Sequence, residues 1–425
     1  MIDLLQLSIP FKSEHVIETL SADERGGYYI DLEEIARRTG LRLTARDVEF
    51  EISGDLQVTG LSHPYESLPS HFASLAMKVH QGTHLARPRV ELKASPAKLL
   101  QGHNVFGPTD FSLCAEALFT PFCMAMPLLA DYLDFENTYI AKIDCTFSAR
   151  LKTINQTRQA IDILRNVSNG QTKATKSTRS QNYDSTVYWN ETSYLVRRKV
   201  YLKGQEIQID LDSCKMALRR SPNDESLKRR INVLSNPDLI EWAALLIRFE
   251  ASLFPKKLYG LNIPTKLFDL ISYQIEYERE GRNLIYDMWC AGFDELFESF
   301  KGTVMNIYDD EKVFELLKSA YHSTTPKGNI TYSKAQRIFG FYRRLVNEGY
   351  DEVFKTIPRR SFYNNINELI SAGISKAQLQ NLQADKSNNV VPLVQLITVD
   401  FSKQYPDWYV EPVIPYNNVI QLKAS

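Results

Sequence analysis

The segment YIAKIDCTFSARL, residues 139–151, alternates so regularly that it leaves little choice of conformation. Ile143, Cys145 and Phe147 fall on one side of an extended chain. Lys142, Asp144, Thr146 and Ser148 fall on the other. A period of two marks a strand with one face in a core and the other free to carry polar groups. Two later segments repeat the pattern. In YLVRRKVYLKGQE, Leu195, Arg197, Lys199, Tyr201 and Lys203 share one face, and Val196, Arg198, Val200 and Leu202 the other. In DLIEWAALLIRFEASLF a helix runs into a strand on which Arg248, Glu250 and Ser252 share a face. If the three strands are neighbours in one sheet, two carboxylates, a tyrosine and several cations meet on its polar side.

Such a meeting has a chemical reading. Lys199 and Lys203 flank Tyr201, and nearby cations favour a phenolate and neutralise a phosphate under attack. Asp144 and Glu250 suit a hard divalent cation, which takes oxygen ligands. Each residue also has a plainer reading. Tyr201 can pack in a half-buried basic strand, and each carboxylate can pair with a neighbouring Lys or Arg. The catalytic reading requires the Tyr201 hydroxyl to be reachable and close to an acidic side chain.

Charge distribution bears on this choice. The net charge is only −1. Residues 1–150 hold 13 Lys/Arg and 20 Asp/Glu, whereas residues 151–235 hold 16 and 8. The positive charge therefore gathers around Tyr201, as expected of a phosphate-binding surface. The polar loop SNGQTKATKSTRSQN, 168–182, offers Lys173, Lys176 and Arg179 for phosphate contacts, and Arg197 adds to them.

The rest of the chain sets the frame. The first 110 residues read as strand-rich, with LQVTGL, FASLAMKV and PRVELKAS between Gly, Pro and Ser breaks. FSLCAEALFTPFCMAMPLLADYLD reads as an apolar helix interrupted near Pro121 and Pro127. TINQTRQAIDILRNV reads as an amphipathic helix with Ile154, Ala160, Ile161 and Leu164 inward. Beyond about Leu258 the pattern is mostly helical. The fold class is α+β: a catalytic domain over 1–257 with a central antiparallel sheet and flanking helices, then a helical DNA-binding region over 258–425. In that region Pro358 and Arg359 precede SFYNNINELI, with Ser361 as expected N-cap and Phe362, Ile366, Leu369 and Ile370 turned inward. Arg359, Arg360, Tyr363 and Asn364 would stand at the exposed start of a helix-turn-helix recognition helix, or of an ordinary bundle helix.

Other features exclude functions. Five scattered cysteines, an odd count without a CxxC pair, imply no disulfide framework and fit a reducing cytoplasm. No apolar run approaches the ~18 residues of a membrane span, and MIDLLQLSIPF reads as a strand rather than a signal peptide. There is no GxxxxGK[ST] loop, so no nucleotide cofactor is expected. Among the histidines, His103 in the turn LLQGHNVFG is a metal ligand, a phosphate donor or a turn residue bonded to backbone. Glu91 on the VELKASP strand is a further carboxylate candidate.

Several longer stretches carry a family likeness: SHPYESLPSHF, ELKASPAKLLQGHNVFG, IDCTFSAR, RNVSNGQTK, WNETS, VLSNPDL, FYRRLVNEGYD and PDWYVEPV. From Met1 to about Pro412 the chain resembles the gene II replication proteins of filamentous coliphages, and more loosely the plasmid rolling-circle initiators. The resemblance implies an endonuclease and strand-joining nucleotidyltransferase of the host cytoplasm. It would bind the phage origin in double-stranded replicative DNA and nick the viral strand. A tyrosine matching Tyr201 would keep the 5′ phosphate and leave a 3′ hydroxyl as primer, and the displaced single strand would later be rejoined into a circle. The resemblance also implies a need for Mg²⁺, with Mn²⁺ as substitute, and cooperation with a host replicative helicase and single-strand-binding protein. Met305 matches an internal start, so that 305–425 would also exist as a shorter product. The His-hydrophobe-His metal pair of many rolling-circle initiators is absent, which leaves Asp144, Glu250, Glu91 and His103 as the ligand candidates. A non-enzymatic DNA-binding regulator and a hydrolytic nuclease remain the alternative readings.

Overall fold

In the computed structural model the described residues are 1–20, 26–50, 56–169, 172, 185–300, 310–324, 329–382 and 401–416. The strands of the main sheet are β1 (Ile2–Pro10), β2 (Glu66–Pro69), β3 (Ser74–His80), β4 (Arg89–Ala94), β5 (Tyr139–Arg150), β6 (Thr186–Trp189), β7 (Val196–Leu202) and β8 (Leu246–Leu253). They form one antiparallel sheet in the order β6-β7-β8-β5-β1-β4-β3-β2. The three strands singled out by alternation are thus consecutive, with β8 between β7 and β5.

One face of this sheet is apolar. Leu5, Leu7 and Ile9 of β1 continue into Ile143 and Cys145 of β5 and then Phe249, Ala251 and Leu253 of β8, all buried. Helices Phe111–Ala125, Ile154–Asn166 and Leu284–Glu298 supply the other half of this core. Trp289 on the last of these is fully buried against Phe147 and Phe249, and its indole donates to the Phe249 carbonyl at 3.0 Å. The helices between Leu267 and Glu298 lie beyond the boundary expected at 257, yet their buried residues belong to this core.

Two local expectations need correction. Helix Phe111–Ala125 runs through Pro121 and breaks only at Met126 and Pro127. Its burial on the sheet holds it together despite the missing donor, since tertiary packing dominates helix stability. Ile154 opens its helix half-exposed, and Ile163 is buried instead.

A second core, Val313 to Leu382, belongs to the helical C-terminal region. Helices Tyr350–Thr356 and Arg359–Ser371 are joined by Ile357 and Pro358 and pack against helix Ser333–Glu348. Phe362, Ile366 and Leu369 are buried as expected. The N-cap is Pro358, not Ser361, because Pro358 already has the extended backbone of a cap and its carbonyl accepts from Phe362.

The chain then returns to the sheet domain. Phe401 enters the core beside Trp289, and the Gln404 amide pairs with Ser148 N and O. Gln404 thereby occupies the edge of β5 where β1 has ended, so the ladder groups there are not left unpaired. Tyr405 and Tyr409 stack at 4.3 Å and pack near Phe106, and the Tyr416 hydroxyl accepts from His71 N at 2.8 Å. Among the described residues no helix is long and apolar enough to cross a membrane.

Candidate active site

The polar face of β7, β8 and β5 is built by register. Tyr201 lies opposite Arg248, which lies opposite Ser148; Lys199 is opposite Glu250, itself opposite Thr146; Arg197 is opposite Ser252, itself opposite Asp144. Strand alternation then puts all of them on one side.

Tyr201 ends β7. Lys199 Nζ stands 4.1 Å from its ring centroid and Lys203 Nζ 5.8 Å. Lys203 is not on the strand, as the sequence pattern suggested, but opens helix Lys203–Arg220. It still reaches the ring because the first turn of that helix folds back on the sheet. Gly204 allows this: a Cβ there would sit 2.8 Å from Ala244 Cα, so any other residue would push the two segments apart.

Arg248 is 1% exposed. Its guanidinium donates to the carbonyls of Asn104 and Val105 and to Ser148 Oγ, and it interacts electrostatically with the Tyr201 hydroxyl on the neighbouring strand. Asp3 Oδ1 lies 3.8 Å from Arg248 and accepts from Asn104 Nδ2 at 2.7 Å, while Lys203 Nζ donates to Asn104 Oδ1 at 2.7 Å and contacts Glu206 at 2.5 Å. Lys98, Asp210 and Arg230 extend the ion network outward.

The enclosure reverses one electrostatic expectation. Tyr201 is 3% exposed, and burial, aided by the negative charge of Asp3, pushes its hydroxyl well above its ordinary value despite Arg248. Desolvation of a phenolate outweighs the nearby cations. The same burial lowers Lys203 to about 8, against the opposing pull of Glu206. Glu206, more open, is held at about 2: its own desolvation is outweighed by Lys203 and Lys98 together. The hydroxyl therefore has acidic neighbours but no open path to solvent in this conformation, so of the two conditions the catalytic reading sets, the acidic neighbour is met and reachability is not.

Asp144 and Glu250 are diagonal neighbours on adjacent strands. Burial raises both, and the charge of Asp144 adds to the cost of ionising Glu250. Each is also paired, Asp144 with Lys142 at 3.0 Å and Glu250 with Lys199 at 3.8 Å, as the plainer reading foresaw. Ser252 also interacts with the Asp144 carboxyl, yet Asp144 Oδ1 and Thr146 Oγ1 are buried without a hydrogen bond of ordinary geometry. Such buried oxygens beside two carboxylates are what a hard cation would satisfy.

Over this geometry stands a sequence match. A model of the N-terminal part of a replication-associated phage protein fits residues 1–280, and a model of the C-terminal part of the same protein fits residues 324–415. The chain belongs to the replication-associated protein family of filamentous phages. It is 51% identical over 431 aligned positions to the replication-associated protein of Salmonella phage IKe, with all of both chains covered. It is 50% identical over 415 positions to the replication-associated proteins of Enterobacteria phages fd and M13, covering 97% of this chain and 99% of each relative.

The remaining candidates of this family member lie apart from Asp144 and Glu250. Glu91 on β4 is opposite Ser8, two strands across and several residues along from Asp144, more than ~15 Å by sheet spacing. It accepts from the Tyr65 hydroxyl and stands 3.6 Å from His80. His103 is buried, its Nδ1 accepts from Val105 N at 3.2 Å, and burial beside Lys203 and Arg248 lowers it to about 3. It is the backbone-bonded turn histidine. Among the described residues no three His, Cys, Asp or Glu side chains gather to hold a metal. Lys173, Lys176, Arg179 and Met305 fall outside the described residues. Arg359, Arg360 and Asn364 are exposed at the start of their helix, and Tyr363 is 37% exposed beneath Arg359.

Asp3, Asn104 and Glu206 were missed by sequence reasoning. For Asp3 a signal existed. Ile2 and Leu5 are out of phase for a regular strand, and the register slips between Ile2 and Leu4. That bulge keeps Ile2 in the core while turning Asp3 to the polar face.

Proposed function

We propose that this chain initiates rolling-circle replication of phage DNA by nicking and rejoining one strand at the origin, with Tyr201 as nucleophile. Its family membership supports the replication role. The observation that carries the chemistry is the stack of register rows: Tyr201–Arg248–Ser148, Lys199–Glu250–Thr146 and Arg197–Ser252–Asp144. Together they join a phenol, a lysine, two arginines and two carboxylates on one sheet face.

Each residue has its part. The Tyr201 oxygen attacks the scissile phosphorus, the P–O3′ bond breaks, and the 3′ oxygen leaves and takes a proton from water to become a free hydroxyl. Lys203, lowered to about 8, is part neutral near physiological pH and takes the phenol proton. Lys199 and Arg248 stabilise charge on the phosphate oxygens. A phosphotyrosine diester replaces a phosphodiester of similar energy, so rejoining by the 3′ hydroxyl needs no nucleotide. Asp144 and Glu250, with Thr146 alongside, would hold Mg²⁺ or Mn²⁺, which supplies Lewis-acid polarisation of the phosphate when bound. The buried hydroxyl must first be uncovered. The loop His103–Phe106, tied to Arg248 and Lys203 and braced by Tyr405 and Tyr409, is the part that has to give way.

Origin DNA in double- and single-stranded form is the proposed partner, with the helix beginning at Arg359 as a duplex-reading element. A host replicative helicase and single-strand-binding protein complete the proposed replication set. The test is incubation of wild type and Tyr201→Phe with supercoiled origin plasmid and Mg²⁺, followed by denaturation. Nicked circles bearing attached protein are expected from wild type alone. An adduct formed by Tyr201→Phe transfers the role to another tyrosine, with Tyr188 on β6, Tyr194, and Tyr183, which falls outside the described residues, next in line. Nicking without attached protein indicates attack by water, and a DNA shift without nicking indicates a regulator.

A further inference from the structure

The polar face does not end at Lys199. Following β7 away from Tyr201, the next side chain on that face is Arg197, about 14 Å from Tyr201 by strand rise. Its guanidinium lies 4.7 Å from the ring centroid of Phe254, which follows β8, and 5.7 Å from that of Tyr194, in the turn before β7. The two rings are themselves 6.4 Å apart at 64°. Arg197 Nε donates to the Ser193 carbonyl at 2.8 Å, and Phe254 N donates to the Leu195 carbonyl at 3.2 Å, so the group is fixed to the β6–β7 turn. Tyr194 nevertheless remains 80% exposed. A tyrosine serving only to pack this turn would bury its ring; this one leaves a face to solvent, with a cation beside it.

We infer that Tyr194, Arg197 and Phe254 form a stacking platform for a base of single-stranded DNA adjoining the scissile phosphate. Three observations favour this occupant. An aromatic face with an arginine at its edge matches a base and its backbone phosphate together. The platform is continuous with the candidate active site along one strand face, through Lys199. The distance from Tyr201, about 14 Å as far as Arg197, is that of roughly two nucleotides of extended strand rather than of a remote surface. The platform rests on the proposed nicking and joining reaction, which creates single strand at this place. Its specificity would be loose, because every base has a face to stack.

The test uses the full chain and a fluorescein-labelled oligothymidylate followed by anisotropy. Tyr194→Ala is expected to weaken binding about tenfold, the equivalent of one lost stacking contact of ~1.4 kcal/mol. Tyr194→Phe keeps the ring and is expected to bind within about twofold of wild type. Arg197→Gln is expected to lower the slope of log affinity against log salt by about one contact. Tyr194 is exposed, so its truncation leaves the core intact, and far-ultraviolet circular dichroism of each variant checks the fold. Equal binding by Tyr194→Ala and wild type overturns the platform, as does equal loss in the Ala and Phe variants. Plasmid nicking measured in parallel separates the two ideas. Normal nicking with unaltered oligonucleotide binding by Tyr194→Ala removes the platform alone. Failure of wild type to nick removes the proposed reaction and leaves the binding result to stand by itself.

Discussion

Tyr201 and Arg248 face each other across β7 and β8, and the guanidinium that contacts the hydroxyl also grips the loop carrying Asn104 and Val105. Arg248 therefore links the proposed nucleophile to the segment that shuts it in. A single buried cation both orients the phenol and holds the enclosure closed.

Replacing Arg248 tests that double role. Arg248→Gln leaves two carbonyls and Asp3 without their cation inside the fold. A stability loss of about 3–5 kcal/mol is expected, read from urea unfolding, because breaking a buried pair strands the other partner. Unchanged unfolding would mean that the loop is not anchored through this residue.

Glu206 sets a pH dependence. Its carboxyl is depressed to about 2 from 4.5, so its contribution is fully present above about pH 4.5 and lost as pH falls toward 2. Glu206→Gln should be less stable than wild type at pH 7 by ~2–3 kcal/mol, with the gap closing through that acid window. A gap that persists at the acid end would remove the Lys203–Glu206 pair as its source.

Lys203 sets another. If its amine takes the phenol proton, the single-turnover nicking rate rises with pH toward about 8 and levels above it, since only the neutral amine accepts. Lys203→Met should abolish that limb. A wild-type profile flat between pH 6 and 9, on the order of the range that brackets this group, would exclude Lys203 as base.

The carboxylate pair makes a cation-dependent prediction. Asp144→Asn and Glu250→Gln should each raise the Mg²⁺ concentration for half-maximal nicking by about tenfold or more, since each removes a charged ligand. Burial and the charge of Asp144 raise Glu250 above the usual carboxylate range, so in wild type protons should compete with the cation as pH falls. Superimposable Mg²⁺ titrations for wild type and both variants would take these residues out of the site.

Trp289 tests the support beneath the site. It fills the core under β5 and β8 and bonds to Phe249, which sits between Arg248 and Glu250. Trp289→Ala should cost ~3–5 kcal/mol of stability. A loss under about 1 kcal/mol would show that the core closes over the gap.

The period-two pattern of 139–151, 196–202 and 246–253 carried the strands and the two faces of each, because alternation is a local property of the chain. That the three strands are neighbours, which brings Asp144, Tyr201 and Glu250 to one side of one sheet, was decided by the tertiary structure. Burial of Tyr201 was not legible in that pattern. The residues enclosing it come from the bulge at Asp3, the turn at 103–106 and the first turn of helix Lys203–Arg220, and the brace comes from Tyr405 and Tyr409. Sequence alone thus determined which side chains share a face, through backbone geometry. Only the tertiary structure decided which of them lose water, because desolvation depends on atoms brought together from hundreds of residues apart.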